Sequence, residues 1–153
     1  MKKIKQLVLA SVLVLFTSAV FAETKMRITL QLPLKAHLGQ NLLVFKKELE
    51  KRSDIIVEIY DSAQLYKDKE VPQAVGSGAI EAGVASLTRF AGTNPEVDIF
   101  YLPFLFDSEK KIRKATKSGS KIRQVLDPAI SKTGAVPLYY QAYGSAVMLS
   151  NGT

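Results

Sequence analysis

Cysteine is absent from these 153 residues, and histidine occurs once, at position 37. Without thiols the chain can build neither a disulfide framework nor a thiolate metal site, so its stability must come from an ordinary packed core. Lipid attachment through a cysteine near the N-terminus is excluded for the same reason. One histidine cannot supply the usual zinc sets. A Ser-His-Asp triad would have to use His37, yet nothing marks a serine partner, and G-x-S-x-G and P-loop motifs are both missing. A lone His just before a helix is more simply a turn or capping residue. Asp61, Asp68 and Glu70 could be imagined as paired carboxylates, but Lys67 and Lys69 lie among them, as in a solvated polar turn. The residues give little support for an enzyme.

Long apolar runs are scarce as well. Residues 7–16 form one, about half the roughly 20 residues that a membrane span needs. Lys2, Lys3 and Lys5 precede it, and Ser18, Ala19, Val20, Phe21 and Ala22 follow before a polar start at Glu23. This is the layout of a secretory signal peptide, residues 1–22, with cleavage expected after Ala22; an uncleaved anchor is the rival reading. Loss of the three lysines lowers the formal charge from +7 to +4. The remaining positive excess gathers at Lys110, Lys111, Arg113, Lys114, Lys117 and Lys121. No aromatics interleave with these residues and the chain reads as exported, so a solvated helix face fits better than a nucleic-acid surface.

Periodicity supplies the order of elements. Residues 26–32 alternate apolar and polar, as in a strand. Leu38, Leu42, Phe45 and Leu49 form a helical stripe, with Lys46, Lys47, Glu48, Lys51 and Arg52 off it. The β-branched run 55–60 predicts a second strand. Residues 69–75 are weakly helical, with Pro72 suited to the first turn, and Gly76 and Gly78 end them. A short buried strand is expected over 79–85. Residues 97–106 are almost continuously apolar. Asp107 or Ser108 could cap a following helix, and Ile122, Val125, Leu126 and Ile130 mark another, which Pro128 should kink or restart. Gly134 closes it, and a strand at 135–140 is weakened by Pro137. Strand and helix alternate, which predicts an α/β lobe with a mainly parallel sheet flanked by helices. Ligands in such sheets bind beyond the carboxyl ends of the strands, here the corners after Leu32, Tyr60 and Ala85.

Four segments in register resemble the solute-binding proteins of tripartite ATP-independent periplasmic (TRAP) transporters, the DctP family. The most specific is 95–107, which contains Pro95-Glu96 and Leu102-Pro103-Phe104-Leu105-Phe106 and is similar to the family's PE…LPFLF stretch. Residues 58–65 resemble its YPsGQLG turn, with Asp61 for the usual Pro and Tyr66 for the usual Gly. Residues 75–83 and 141–144 resemble two further segments. The chain departs from the pattern after Tyr143, where it reads Gly144-Ser145-Ala146-Val147 without the arginine many members carry.

The resemblance implies a periplasmic-binding-protein-like lobe over 23–143, with 144–153 starting the crossover to a second lobe that is largely missing, as in a truncated or partial form. It implies capture of a small organic acid in the periplasm and delivery to the small and large membrane subunits of a permease. No cofactor, metal or nucleic acid enters that scheme. Ligand contacts are expected at Gln31, Asp68, Ala85, Ser86 and Arg89, with Lys35 and His37 as weaker candidates in the first corner. Arg89 offers a planar fork of donors suited to a carboxylate. Three alternatives stay open: an ABC-type periplasmic binding protein of similar fold, a small secreted enzyme, and a decayed copy with no transport role left.

Overall fold

The computed structural model describes residues 23–144 and residue 150. The sheet is three-stranded and wholly parallel, in the order β2-β1-β3. Strand β1 (Thr24–Thr29) pairs with β2 (Ile55–Tyr60) over its full length, Thr24 facing Ile55 and Thr29 facing Tyr60. On its other side β1 meets β3, only Ala82–Gly83, at Ile28 and Thr29. Parallel neighbours need a crossover, and helix α1 (His37–Arg52) supplies the first. Its predicted stripe is its core face: Leu38 and Leu42 are buried, and Phe45 and Leu49 pack beside them on Ile28, Leu30 and Val57. The short helix α2 (Val71–Gly76) makes the second crossover, with Pro72 in its first turn, where the missing N–H is harmless.

A second cluster fills the other half of the lobe. Phe90, Val97, Leu126 and Ile130 are its buried members. They come from two 3₁₀ turns, Leu87–Phe90 and Pro95–Tyr101, and from helix α4 (Lys121–Ser131). Helix α3 (Glu109–Thr116) lies between them in sequence and carries Lys110, Lys111, Arg113 and Lys114 of the basic run, all exposed.

The differences from the sequence reading have local causes. The first strand lies at 24–29 rather than 26–32, although Leu30 N still donates to Tyr60 O at 2.9 Å and Ser62 N to Leu32 O at 3.1 Å. The third strand shrinks from 79–85 to two residues. Ala79 N and Ile80 N both turn back to Ala74 O at the end of α2, and Ser86 N is taken by a side chain. Residues 135–140 form no ladder. Pro137 has no N–H to offer, and side chains of α4 hold the segment instead. Arg123 Nη2 donates to Pro137 O at 3.5 Å, the Arg123 Cζ lies 5.0 Å from the Tyr140 ring centre, and Tyr140 Oη donates to Asp127 Oδ1 at 2.8 Å. Burial and the Asp127 contacts push the Tyr140 phenol well above its ordinary pKa. Helix α4 runs through Pro128 as one element, and Val125 is 56% exposed, so the buried stripe there is Leu126 and Ile130 with Ile122 beside them. Ser108 precedes α3 without a side-chain cap, and Asp107 pairs with Lys111 at 2.7 Å instead.

Gly134 does more than end α4. It adopts φ +88°, and a Cβ there would collide with the carbonyl of Gly76; a Cβ at Gly76 would in turn strike Thr133 O. Two glycines therefore let the end of α2 and the end of α4 touch backbone to backbone.

Candidate functional site

All three strands point the same way, so their carboxyl ends share one edge, and the corners after them converge there. Asp61 fixes the first two corners. It follows β2, and its Oδ2 accepts Leu34 N at 2.9 Å and the Ser62 hydroxyl at 3.2 Å, while Oδ1 accepts Gln64 Nε2 at 3.1 Å. Ser62 and Ala63 then take φ of 52° and 57°, an uncommon conformation for residues with a Cβ. Ala63 N closes the loop on Leu30 O at 2.9 Å. Asp61 is thus a corner staple rather than one of a carboxylate pair. The sequence signal for it was available, since Asp directly after a strand commonly folds its side chain onto nearby backbone.

Asp68, Ser86 and Arg89 come together at the corner after β3. Asp68 Oδ1 accepts Ser86 N at 2.9 Å, and Oδ2 lies 2.5 Å from Arg89 Nε. Arg89 sits in the 3₁₀ turn directly after Ser86, and its own N–H bonds Ser86 O at 3.0 Å. Asp68 is half-buried, with 21% of its side chain exposed against 46% for Arg89. Burial pushes the Asp68 pKa up, but the Ser86 amide and the Arg89 guanidinium outweigh it, and the net direction is down. The carboxylate is therefore ionised at neutral pH. Among the described residues the Arg89 side chain hydrogen-bonds through Nε, with no partner there for Nη1 or Nη2.

The other expected site residues fall into two groups. Gln31 lies just past β1 and spends its Nε2 on Val84 O, one residue before Ala85. Ala85 packs against the Phe90–Val97 cluster. Both line the shared edge, in contact with its backbone. Lys35 and His37 are exposed in the first corner, and neither hydrogen-bonds to the Asp68 group among the described residues. His37 opens α1, its ring edge-on to Tyr143 with centroids 6.2 Å apart. No group of three or more His, Cys, Asp or Glu among the described residues could hold a metal ion.

Residues 31–153 match the model of the bacterial extracellular solute-binding protein family 7, DctP. The chain belongs to the DctP family. It is similar, at 29% identity over 116 residues, to the C4-dicarboxylate-binding periplasmic protein DctP of Rhodobacter capsulatus, covering 74% of this chain and 34% of that one. Among solved structures, a TRAP periplasmic solute-binding protein of Pseudomonas aeruginosa with bound L-malate superposes with a TM-score of 0.68 at 25% identity. That match covers 76% of this chain and 40% of the other. A Polaromonas TRAP protein bound to D-erythronate gives the same TM-score and identity, over 76% and 39%. The chain thus spans well under half the length of the DctP relatives it matches. The DctP family is one of solute-binding receptors, in keeping with the lack of a catalytic set in the sequence.

Proposed function

We propose that this chain is the N-terminal lobe of a TRAP solute receptor that captures a small organic acid outside the cytoplasm for a two-subunit membrane permease. The observation that carries this reading is the Asp68–Ser86–Arg89 group at the carboxyl edge of a parallel sheet, where α/β folds place their ligands. Malate, succinate and erythronate in the related structures make a carboxylate the natural ligand class. In this reading residues 1–22 are a cleaved signal, 23–143 the lobe, and 144–153 the start of a crossover. Arg89 takes the carboxylate, Asp68, itself held by Ser86 N, orients the Arg89 guanidinium, and Gln31 and Ala85 shape the floor.

A receptor closes two lobes on its ligand and excludes water, and desolvation is what makes an arginine–carboxylate contact strong. An open half-site should hold an organic acid no tighter than about millimolar, about −4 kcal/mol. Calorimetry of the chain against mono- and dicarboxylates tests this. Micromolar binding would mean that one lobe holds a complete site and would refute the two-lobe account. In a family-length protein, Arg89→Ala should weaken binding by about 1.5–3 kcal/mol, the range for a charged hydrogen bond. Unchanged affinity would remove Arg89 from the site.

A further inference from the structure

The proposed site carries a negative charge of its own, and that charge restricts what can share it. Asp68 is fixed from two sides, by Ser86 N at 2.9 Å and Arg89 Nε at 2.5 Å. Two consequences follow from this geometry. Arg89 is engaged along its Nε side, so a ligand carboxylate has to dock across the Nη1 and Nη2 end. The Asp68–Arg89 pair is also neutral as a unit. One bound carboxylate makes the assembly an anion, and a second one close by would face the ionised Asp68 with no free guanidinium charge to offset it. A ligand hydroxyl has the opposite experience. A carboxylate offers about four acceptor positions over its two oxygens, and Ser86 N and Arg89 Nε fill one on each. A hydroxyl beside the ligand's carboxylate can donate to one of the others. Lys67 and Lys69 flank Asp68 in sequence but are exposed, where solvent screens them.

We infer that Asp68 is a specificity-determining residue: the lobe selects monocarboxylates with a neighbouring hydroxyl over dicarboxylates of similar size. This rests on the organic-acid reading above and narrows it. Specificity here is largely repulsion, the penalty imposed on the wrong ligand.

The test is an NMR titration of the full chain with D-glycerate, succinate and propionate at fixed ionic strength, following the Ser86 amide. Glycerate should bind at least about fivefold tighter than succinate, an effect of the size expected for one screened like-charge contact. Propionate, lacking the hydroxyl, should bind more weakly than glycerate. Asp68→Asn keeps an oxygen for the Ser86 N–H and removes the charge. It should bring glycerate and succinate to nearly equal affinity, chiefly by improving succinate. Succinate binding as tightly as glycerate in the unchanged chain would overturn the inference while leaving the organic-acid site standing. So would a glycerate preference that survives Asp68→Asn. A Ser86 amide that responds to none of the three acids would defeat the organic-acid reading itself, and this inference with it.

Discussion

Asp61 and Glu81 show how much of this lobe hangs on single carboxylates outside the proposed site. Asp61 gathers three donors from two corners. Replacing it with alanine should strand the Leu34 N–H and destabilise the lobe by about 1–3 kcal/mol in chemical denaturation, the penalty for an unsatisfied donor. Glu81 accepts Arg27 Nε at 2.8 Å, Nη2 at 2.7 Å and the Arg27 backbone N–H at 2.9 Å, tying the middle of β1 to the amino end of β3. The Arg27 side chain, helped by that backbone N–H, pulls the Glu81 carboxyl down to about 2. Its folded pKa lies below its unfolded one, so its contribution is complete above the ordinary glutamate range and is lost as pH falls toward 2. The pair is more than a third exposed, so solvent screening keeps its contribution small. Glu81→Gln should therefore lower stability modestly at pH 7 and match the unchanged chain near pH 2. Equal loss at both pH values would mean that packing, not charge, is what the substitution removes.

At the scale of elements, the outer edge of β2 is closed by its own preceding helix. Glu50 Oε1 accepts Val57 N at 2.9 Å, Lys46 donates to Val57 O, and the two side chains pair at 2.8 Å. One turn of α1 thereby satisfies the edge strand at its buried residue and blocks strand addition there. Lys46→Met with Glu50→Leu should leave the helix in place and free that edge. Faster thioflavin-positive aggregation at unchanged helicity is the expected result. The Gly76–Gly134 contact is the other joint between elements. Gly134→Ala combines φ +88° with a backbone collision, and should cost more than about 1 kcal/mol in thermal or urea unfolding.

At the scale of the whole molecule, the described residues leave large apolar side chains outside the core. Tyr101 and Leu102 are each 54% exposed, and Phe104 is 93% exposed with φ +63°. Val136, Leu138 and Tyr143 are exposed too. Such surface promotes association. Sedimentation should show concentration-dependent self-association. Phe104→Gly, which removes the ring and relieves the left-handed backbone, should reduce it, the relief of strain offsetting part of the freedom that glycine adds to the unfolded chain. A monomer at all concentrations would count against these side chains as drivers of association.

The amino-acid pattern alone settled the α/β class and the first two strands, because β-branched runs and a 3.6-residue stripe are local signals. It also settled the family, because four motifs stand in order along one chain. The stripe of Leu38, Leu42, Phe45 and Leu49 needed no tertiary information to be read as a core face. Tertiary structure decided the rest. Whether 79–85 and 135–140 become strands depends on what takes their backbone groups: Ala74 O took the N–H groups of Ala79 and Ile80, and Arg123 held the carbonyl of Pro137. Asp68 and Arg89 stand 21 residues apart, and although the family resemblance made each an expected ligand contact, nothing in the sequence paired them. Only the crossover between β2 and β3 sets them 2.5 Å apart, since an ion pair across a sheet edge is created by topology and leaves no periodic trace in the chain.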